Sequence, residues 1–324
     1  MASVLILCPT FDHAETLLAS TASVRNQRFR DWELVVIGDG APDRTAAIMS
    51  AISRSDSRIR YEWHPKSERY GEPYRDRVIR ESKAEAVLQL GDDDLWAPDH
   101  IDCMLELLRD ADWAHEAPVR VNADGTAEWW PINHGTTQVR SSIVRNVPVS
   151  VGPNFVAYRR AAYLRLPEGW ACAPPTGPSV AFMWAKFFRL PSLDVVGTAA
   201  TTAIKFPSHI PGREGLDSIQ RLTELQLWLA RIAEPGCVRR LCARASIHSR
   251  MLALYGIHDV SRTDSWREAM RECGFEPTAV DEPPGPARNG ERMAVPLSLG
   301  QQQDAERALR DYRHQLASHD ALRT

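Results

Sequence analysis

The chain has 324 residues, of which 44% are hydrophobic and 25% are charged, and its formal net charge is -3. This composition is ordinary for a globular protein with one large or two modest domains, and the charge gives no argument for nucleic-acid binding. The 6 cysteines form no CxxC pair, so we expect reduced thiols in a cytoplasmic protein. Without a long apolar stretch, any membrane contact should be peripheral.

Short apolar runs alternate with helical patterns through the first part of the chain. Residues 4–8, 32–37, 59–63 and 87–90 predict strands, whereas residues 14–26, 44–52 and 72–82 predict helices. Asp43 is placed to cap the second of these helices. Strands that alternate with helices indicate βαβ units, so we expect an α/β fold with a mainly parallel sheet.

The pattern changes after residue 98. We expect a helix at residues 99–108, a hairpin at 119–130 with its turn at Asp124 and Gly125, and a loop with a short helix at 131–152. A strand at 155–158, a Pro/Gly-rich loop at 171–179, a helix at 181–189 and a strand region at 195–204 follow. These elements and the preceding ones predict one domain over residues 1–215.

The remaining residues favour helices. Patterns at 219–232, 237–255 and 263–273 predict a helical extension over residues 216–275, and the Pro/Gly-rich residues 276–300 predict a linker. A last helix is expected within residues 301–324. Its narrow apolar stripe could mediate a homodimer.

Three consecutive carboxylates, Asp92, Asp93 and Asp94, follow the predicted strand at residues 87–90. They repel one another, and a hard divalent cation such as Mg²⁺ or Mn²⁺ would offset their charge. Thr10 and Asp39 follow two other strands, and such strand ends share one edge of a parallel sheet. We therefore expect these groups to converge. The alternative is a solvated turn in which Asp94 caps the next helix.

Four segments carry a resemblance to a known family. They are Cys-Pro-Thr-Phe at residues 8–11, Leu-Val-Val-Ile-Gly-Asp-Gly at 34–40, Tyr-Arg-Asp at 74–76 and Leu-Gly-Asp-Asp-Asp-Leu-Trp at 90–96. In this order and spacing they resemble family-two nucleotide-sugar glycosyltransferases with the GT-A fold, a Rossmann-like mainly parallel sheet with flanking helices. The family's metal motif has the form Leu-Asp-x-Asp-Asp, and Gly91 here replaces the first Asp.

The resemblance implies a nucleotide site and a bound Mn²⁺ or Mg²⁺. Asp39 would accept a hydrogen bond from the base, which favours a UDP- or dTDP-sugar. The other implied nucleotide-binding residues are Pro9, Thr10, Phe11, Arg75 and Asp92. The alternative interpretation is that Arg75 lies on a solvent-exposed face of its helix. Asp93 is the implied metal ligand, and Asp94 and His209 are further candidate ligands.

The acceptor side departs from the family pattern. Inverting members use an Asp or Glu as general base at the start of the helix after the loop, but residues 175–184 contain no acid. Glu168, Asp194 and His134 are therefore the candidate bases. The implied acceptor is a hydroxyl of a carbohydrate, a glycolipid or another molecule, which allows membrane association.

Two other functions compete with sugar transfer. A nucleotidyltransferase would also use strand-end aspartates and a metal, but residues 9–15 lack the glycines of a phosphate-binding loop. A degenerate GT-A domain would bind a nucleotide sugar or a partner without efficient transfer. The missing acid at residues 175–184 favours this alternative, while the three aspartates oppose it.

Overall fold

The protein is described here by a computed structural model that covers residues 2–130, 132–145, 151–175 and 177–255, with side chains to residue 246. The predicted helix at 263–273, the linker at 276–300 and the last helix at 301–324 lie outside these residues. Within them, no helix combines the length and apolar character that crossing a membrane requires.

Strands and helices alternate along the described chain. The strands are β1 (Val4–Thr10), β2 (Trp32–Asp39), β3 (Ile59–His64), β4 (Ala86–Gln89), β5 (Leu95–Trp96), β6 (Trp113–Glu116), β7 (Val119–Val121), β8 (Ala127–Trp129), β9 (Val156–Arg159), β10 (Val195–Thr198) and β11 (Ala203–Ile204). The helices are α1 (Leu17–Arg25), α2 (Asp43–Ser55), α3 (Glu72–Glu81), α4 (His100–Leu107), α5 (Thr137–Val144), α6 (Arg160–Leu164), α7 (Ser179–Phe188), α8 (Ser218–Ile232) and α9 (Cys237–Tyr255).

Seven strands form the main sheet in the order β10-β6-β9-β4-β1-β2-β3. Every neighbouring pair is parallel except the two pairs made by β9, which runs antiparallel to β4 and β6. The prediction of a mainly parallel sheet is therefore confirmed. The carboxyl ends of β1, β2 and β4 lie at one edge, which we call the site edge.

Burial on both faces explains why the central strands were visible in the sequence. The side chains of Val4 to Cys8 in β1 and Leu34 to Ile37 in β2 are completely buried, so neither strand alternates polar and apolar residues. A second apolar cluster joins the β7–β8 hairpin to α8 and α9, with Trp129, Phe206 and Trp228 among its members. The predicted helical extension thus packs on the hairpin.

The structure corrects four details of the local prediction. Asp43 is the first residue of α2 rather than its cap, and its charge acts favourably on the first turn of the helix. Asp94 is buried and caps no helix, because α4 begins after Asp99. The strand region at 195–204 is two strands, β10 and β11. Strands β5 and β6 were not predicted, since β5 has two residues and β6 contains the polar His115 and Glu116.

Candidate functional site

The acidic turn after β4 is fastened to the start of α1. Thr16 Oγ1 and Ser20 Oγ donate to the backbone oxygen of Asp92 at 2.9 and 2.8 Å. His13 Nδ1 lies 3.1 Å from Asp92 Oδ1. This hydrogen bond to Asp92 raises the pKa of His13 from 6.5 to about 9. The imidazole is therefore a cation at neutral pH when no metal is bound.

Asp93 faces the C-terminal part of the described chain. Ser208 Oγ donates to Asp93 Oδ2 at 2.7 Å, and Arg221 Nη2 of α8 donates to the same oxygen at 3.2 Å. The Asp93 side chain is largely buried, so this contact with Arg221 is a shielded ion pair rather than a solvated one. Helix α8 thereby supplies a charged side chain that contacts the acidic turn after β4.

Asp94 turns away from its two neighbours into the protein. Its Oδ1 accepts a hydrogen bond from the backbone N–H of Phe206 at 2.9 Å, and Lys205 Nζ lies 3.7 Å from Oδ2. Burial raises the pKa of Asp94 to about 6. A Cβ at position 91 would lie 2.3 Å from Asp94 Oδ2. Gly91 therefore leaves room for the inward carboxylate of Asp94.

His13, Asp92 and Asp93 together could hold a metal ion. Each offers one ligand atom, and these atoms lie within 4.8 Å of one another. Carboxylate oxygens with one imidazole suit Mn²⁺ and are compatible with Mg²⁺ through the oxygens. The structure does not bring the other two candidate ligands into this group, because Asp94 turns inward and His209 is exposed on the surface.

Sequence reasoning missed His13 as a member of this group. It lies three residues after the end of β1, at the edge where Asp92 and Asp93 were expected to converge. Its position just after a strand at the site edge is the signal that could have identified His13 as a candidate ligand.

Asp39 lies at the site edge at the end of β2, and its carboxylate is held by the loop before α3. The backbone N–H of Ser67 donates to Oδ1 at 2.6 Å, while Ser67 Oγ and Lys66 Nζ contact Oδ2 at 3.0 and 2.6 Å. Gly71 adopts a φ of 72°, and a Cβ there would lie 3.3 Å from the Cβ of Asp39. The position of Asp39 is thus fixed before any ligand arrives.

The end of β1 combines a buried and an exposed residue. Thr10 is buried, and its Oγ1 has no hydrogen-bond partner among the described residues. Pro9 is half-buried. Phe11 is 52% exposed, and Lys66 Nζ lies 5.5 Å from its ring centroid. A flat, apolar ring in this position can pack against another flat group.

Arg75 is buried, so the alternative that placed it on a solvated helix face is wrong. Its guanidinium lies 3.8 Å from the ring of Trp170 and donates to Gln89 Oε1 at 3.2 Å and to the Tyr70 oxygen at 3.1 Å. Burial lowers the pKa of Arg75. The side chain ties α3 to β4 and to the segment before α7.

The three candidate bases occupy three separate places. The Glu168 side chain is 63% exposed and pairs with Lys186 Nζ at 2.6 Å. Asp194 is exposed and directly precedes β10, which puts it at the edge opposite the site edge. His134 is fully buried among aromatic rings, with ring centroids of Trp113 and Phe188 at 5.3 and 5.4 Å. The structure does not group them with the acidic turn.

A buried acid that we did not predict meets the start of α7. Glu72, the first residue of α3, accepts hydrogen bonds from Ser179 Oγ and from the backbone N–H of Tyr70. Ser179 begins α7, where a family base was expected. Arg69 donates to the carbonyl oxygens of Pro174 and Gly177 at 2.7 and 3.2 Å. The sequence alone does not distinguish Glu72 from other acids that occupy the first turn of a helix, so it was not predicted as a site residue.

Comparisons with known proteins agree with this architecture. The model of the glycosyl transferase family 2 matches residues 5–166, half of the chain. The GalNAc(5)-diNAcBac-PP-undecaprenol beta-1,3-glucosyltransferase of Campylobacter jejuni is 27% identical over 94 residues, and this match spans 29% of the chain and only 30% of that relative.

Solved structures of S. aureus TarS (residues 1–349) share the fold. The first has a TM-score of 0.52 at 14% identity and covers 83% of this chain and 79% of that one. The complex with UDP-GlcNAc has a TM-score of 0.50 at 13% identity, with coverages of 84% and 80%. The expected GT-A fold is confirmed, and the match to the family model shows that the chain belongs to glycosyl transferase family 2.

Proposed function

We propose that the protein is a metal-dependent glycosyltransferase that moves a sugar from a UDP- or dTDP-sugar to a hydroxyl acceptor with inversion. The observation that carries this proposal is the group formed by His13, Asp92 and Asp93, whose ligand atoms lie within 4.8 Å of one another at the same sheet edge as Asp39. The family of the chain supports the reaction class.

Different residues at the site edge would contact different parts of the donor. Asp39 would accept a hydrogen bond from the base, Phe11 would pack against its face, and Asp92 would face the ribose. His13 and Asp93, together with Asp92, would hold Mn²⁺ or Mg²⁺ beside the diphosphate. When bound, such a metal supplies Lewis-acid stabilisation of the charge that develops on the leaving diphosphate.

Two relatives support the choice of substrates. One TarS structure is a complex with UDP-GlcNAc, which agrees with a uridine donor. The Campylobacter relative is named for glucosyl transfer to a GalNAc(5)-diNAcBac-PP-undecaprenol. We infer from it an acceptor hydroxyl on a carbohydrate or glycolipid, and an acceptor of that kind would bring the protein into peripheral contact with a membrane.

A general base would complete the proposed reaction. Inversion requires a group that takes the proton from the acceptor hydroxyl as its oxygen attacks the sugar. Glu168, Asp194 and His134 remain proposals from the sequence. The geometry favours Glu72 over them, because its carboxylate contacts the first residue of α7. For Glu72 to act as the general base, the acceptor hydroxyl must replace the Ser179 hydroxyl as the group that donates to its carboxylate.

A degenerate domain that binds a nucleotide sugar without transferring it is the second candidate function. It is favoured by the segment 175–184, which has no acid of its own, and by a Glu72 carboxylate already engaged by Ser179. The two functions differ in turnover and not in donor binding.

The experiment is an assay of nucleotide release with a panel of UDP- and dTDP-sugars and hydroxyl acceptors, with Mn²⁺ or with a chelator. We expect acceptor-dependent release of UDP or dTDP that requires the metal and is lost in Asp93→Asn. Asp102→Asn, an exposed acid on α4, is the matched control. Calorimetric binding of the donor without release under any condition would establish the degenerate domain instead.

A further inference from the structure

We propose that Arg221 on α8 is a built-in counter-ion that competes with the metal for Asp93 and pairs with the diphosphate once the donor is bound. This inference rests on the proposed metal site. It assigns a role to a residue outside the segment that matches the family model, which ends at residue 166.

The guanidinium of Arg221 is held firmly in front of Asp93. Nη2 donates to Asp93 Oδ2 at 3.2 Å and to the Phe206 oxygen at 2.8 Å, while Nη1 donates to Glu224. Arg213 binds the other side of Glu224, with its Nε 3.0 Å from both carboxylate oxygens. The position of Arg221 is therefore set by a buried network and not by a flexible surface contact.

Each carboxylate of the acidic turn already has a basic side chain beside it. His13 lies beside Asp92, Arg221 beside Asp93 and Lys205 beside Asp94. These contacts offset part of the repulsion among the three acids within the protein. A metal that enters this turn must compete with cations that are already present.

Among these cations, Arg221 differs from the other two in its chemistry. An imidazole nitrogen of His13 is itself one of the ligand atoms of the metal group, and Lys205 pairs with Asp94, which turns inward away from that group. A guanidinium stays protonated and has no free lone pair, so it cannot bind a metal. Arg221 can only oppose a divalent cation on Asp93.

The donor changes this balance, because its diphosphate brings several negative charges to the site. Those charges can pair with the metal and with the guanidinium together, through charge-assisted hydrogen bonds from Arg221. Metal and nucleotide should then bind weakly alone and tightly together. By linkage, the factor by which UDP tightens Mn²⁺ equals the factor by which Mn²⁺ tightens UDP.

The experiment measures Mn²⁺ affinity, by calorimetry or by electron paramagnetic resonance, with and without UDP. Arg221→Met and Arg221→Gln remove the charge, and we expect each to bind Mn²⁺ alone about tenfold more tightly than the wild-type protein, with a smaller gain from UDP. Arg221→Lys keeps the charge and should retain weak binding. Arg231→Met, which removes a cation elsewhere on α8, should match the wild-type protein.

The direction of the change separates this role from a structural one. A residue that only supported the fold would weaken Mn²⁺ binding when replaced, and unchanged or weaker binding in folded Arg221→Met would overturn the inference. If that variant does not fold, Arg221→Gln, which retains a hydrogen-bond donor, decides by the same criterion. A wild-type protein that never binds Mn²⁺ would refute the proposed metal site instead.

Discussion

Replacement of His13 by Gln tests the electrostatics of the acidic turn. His13 Nδ1 lies 3.1 Å from Asp92 Oδ1, and this contact raises the pKa of the imidazole from 6.5 to about 9. Because the folded protein binds the proton more tightly than the unfolded chain does, protonation of His13 stabilises the fold. This contribution is fully present below pH 6.5 and is lost as the pH rises through about 9.

The size of the effect follows from that pKa and from the exposure of the imidazole. A rise from 6.5 to about 9 corresponds to about 3 kcal/mol in a fully shielded site. The His13 side chain is 41% exposed, and solvent screening lowers the expected contribution to about 1 kcal/mol. For a protein of this size, the loss of this contribution should lower the midpoint of thermal unfolding by about 1–2 °C.

The assay is thermal unfolding of metal-free wild-type protein and His13→Gln between pH 6 and pH 10. We expect the variant to be less stable at pH 6 and the difference to shrink as the pH passes 9. His209→Gln, which replaces an exposed imidazole, is the control. Equal stability at pH 6, or a difference of the same size at every pH, would refute the reasoning.

Three further variants test separate parts of the site. Asp39→Asn should weaken UDP binding about tenfold without changing Mn²⁺ affinity, because a lost hydrogen bond to a charged group costs about 1.5–3 kcal/mol. Calorimetry measures the affinity for UDP and the affinity for Mn²⁺. Equal weakening of the two affinities would count against a base-binding role for Asp39. Glu72→Gln should lower kcat and leave UDP affinity unchanged if Glu72 is the base, and unaltered kcat would remove it. Gly91→Ala should destabilise the fold by about 1–3 kcal/mol in denaturant unfolding, because its Cβ would collide with Asp94; wild-type stability would mean that Asp94 moves at no cost.

The parts of the fold that could be predicted are those with a strong local signal. Strands β1, β2 and β4 are apolar because both of their faces are covered, and helices α2 and α8 have an apolar stripe. Once a parallel sheet was inferred, Thr10, Asp39 and Asp92 had to share one edge. The family resemblance added Asp93 as the metal ligand, a role that stays a prediction. Asp93 lies in one group with His13 and Asp92.

The parts that could not be predicted depend on contacts between distant segments. His13 is 79 residues from Asp92 in the sequence, and Arg221 is 128 residues from Asp93. Neither residue belongs to a recognisable motif. Glu72 likewise acquires its place at the start of α7 only through the packing of α3, since its contact with Ser179 spans 107 residues.

The central claim is that a metal held by the acidic turn and a nucleotide held at Asp39 share one site. The most direct test is calorimetry of UDP binding with and without Mn²⁺, in the wild-type protein and in Asp93→Asn. We expect Mn²⁺ to tighten UDP binding by about tenfold or more in the wild-type protein and to have no effect in the variant. UDP affinity that is independent of Mn²⁺ in the wild-type protein, or a metal effect that survives in Asp93→Asn, would contradict the claim.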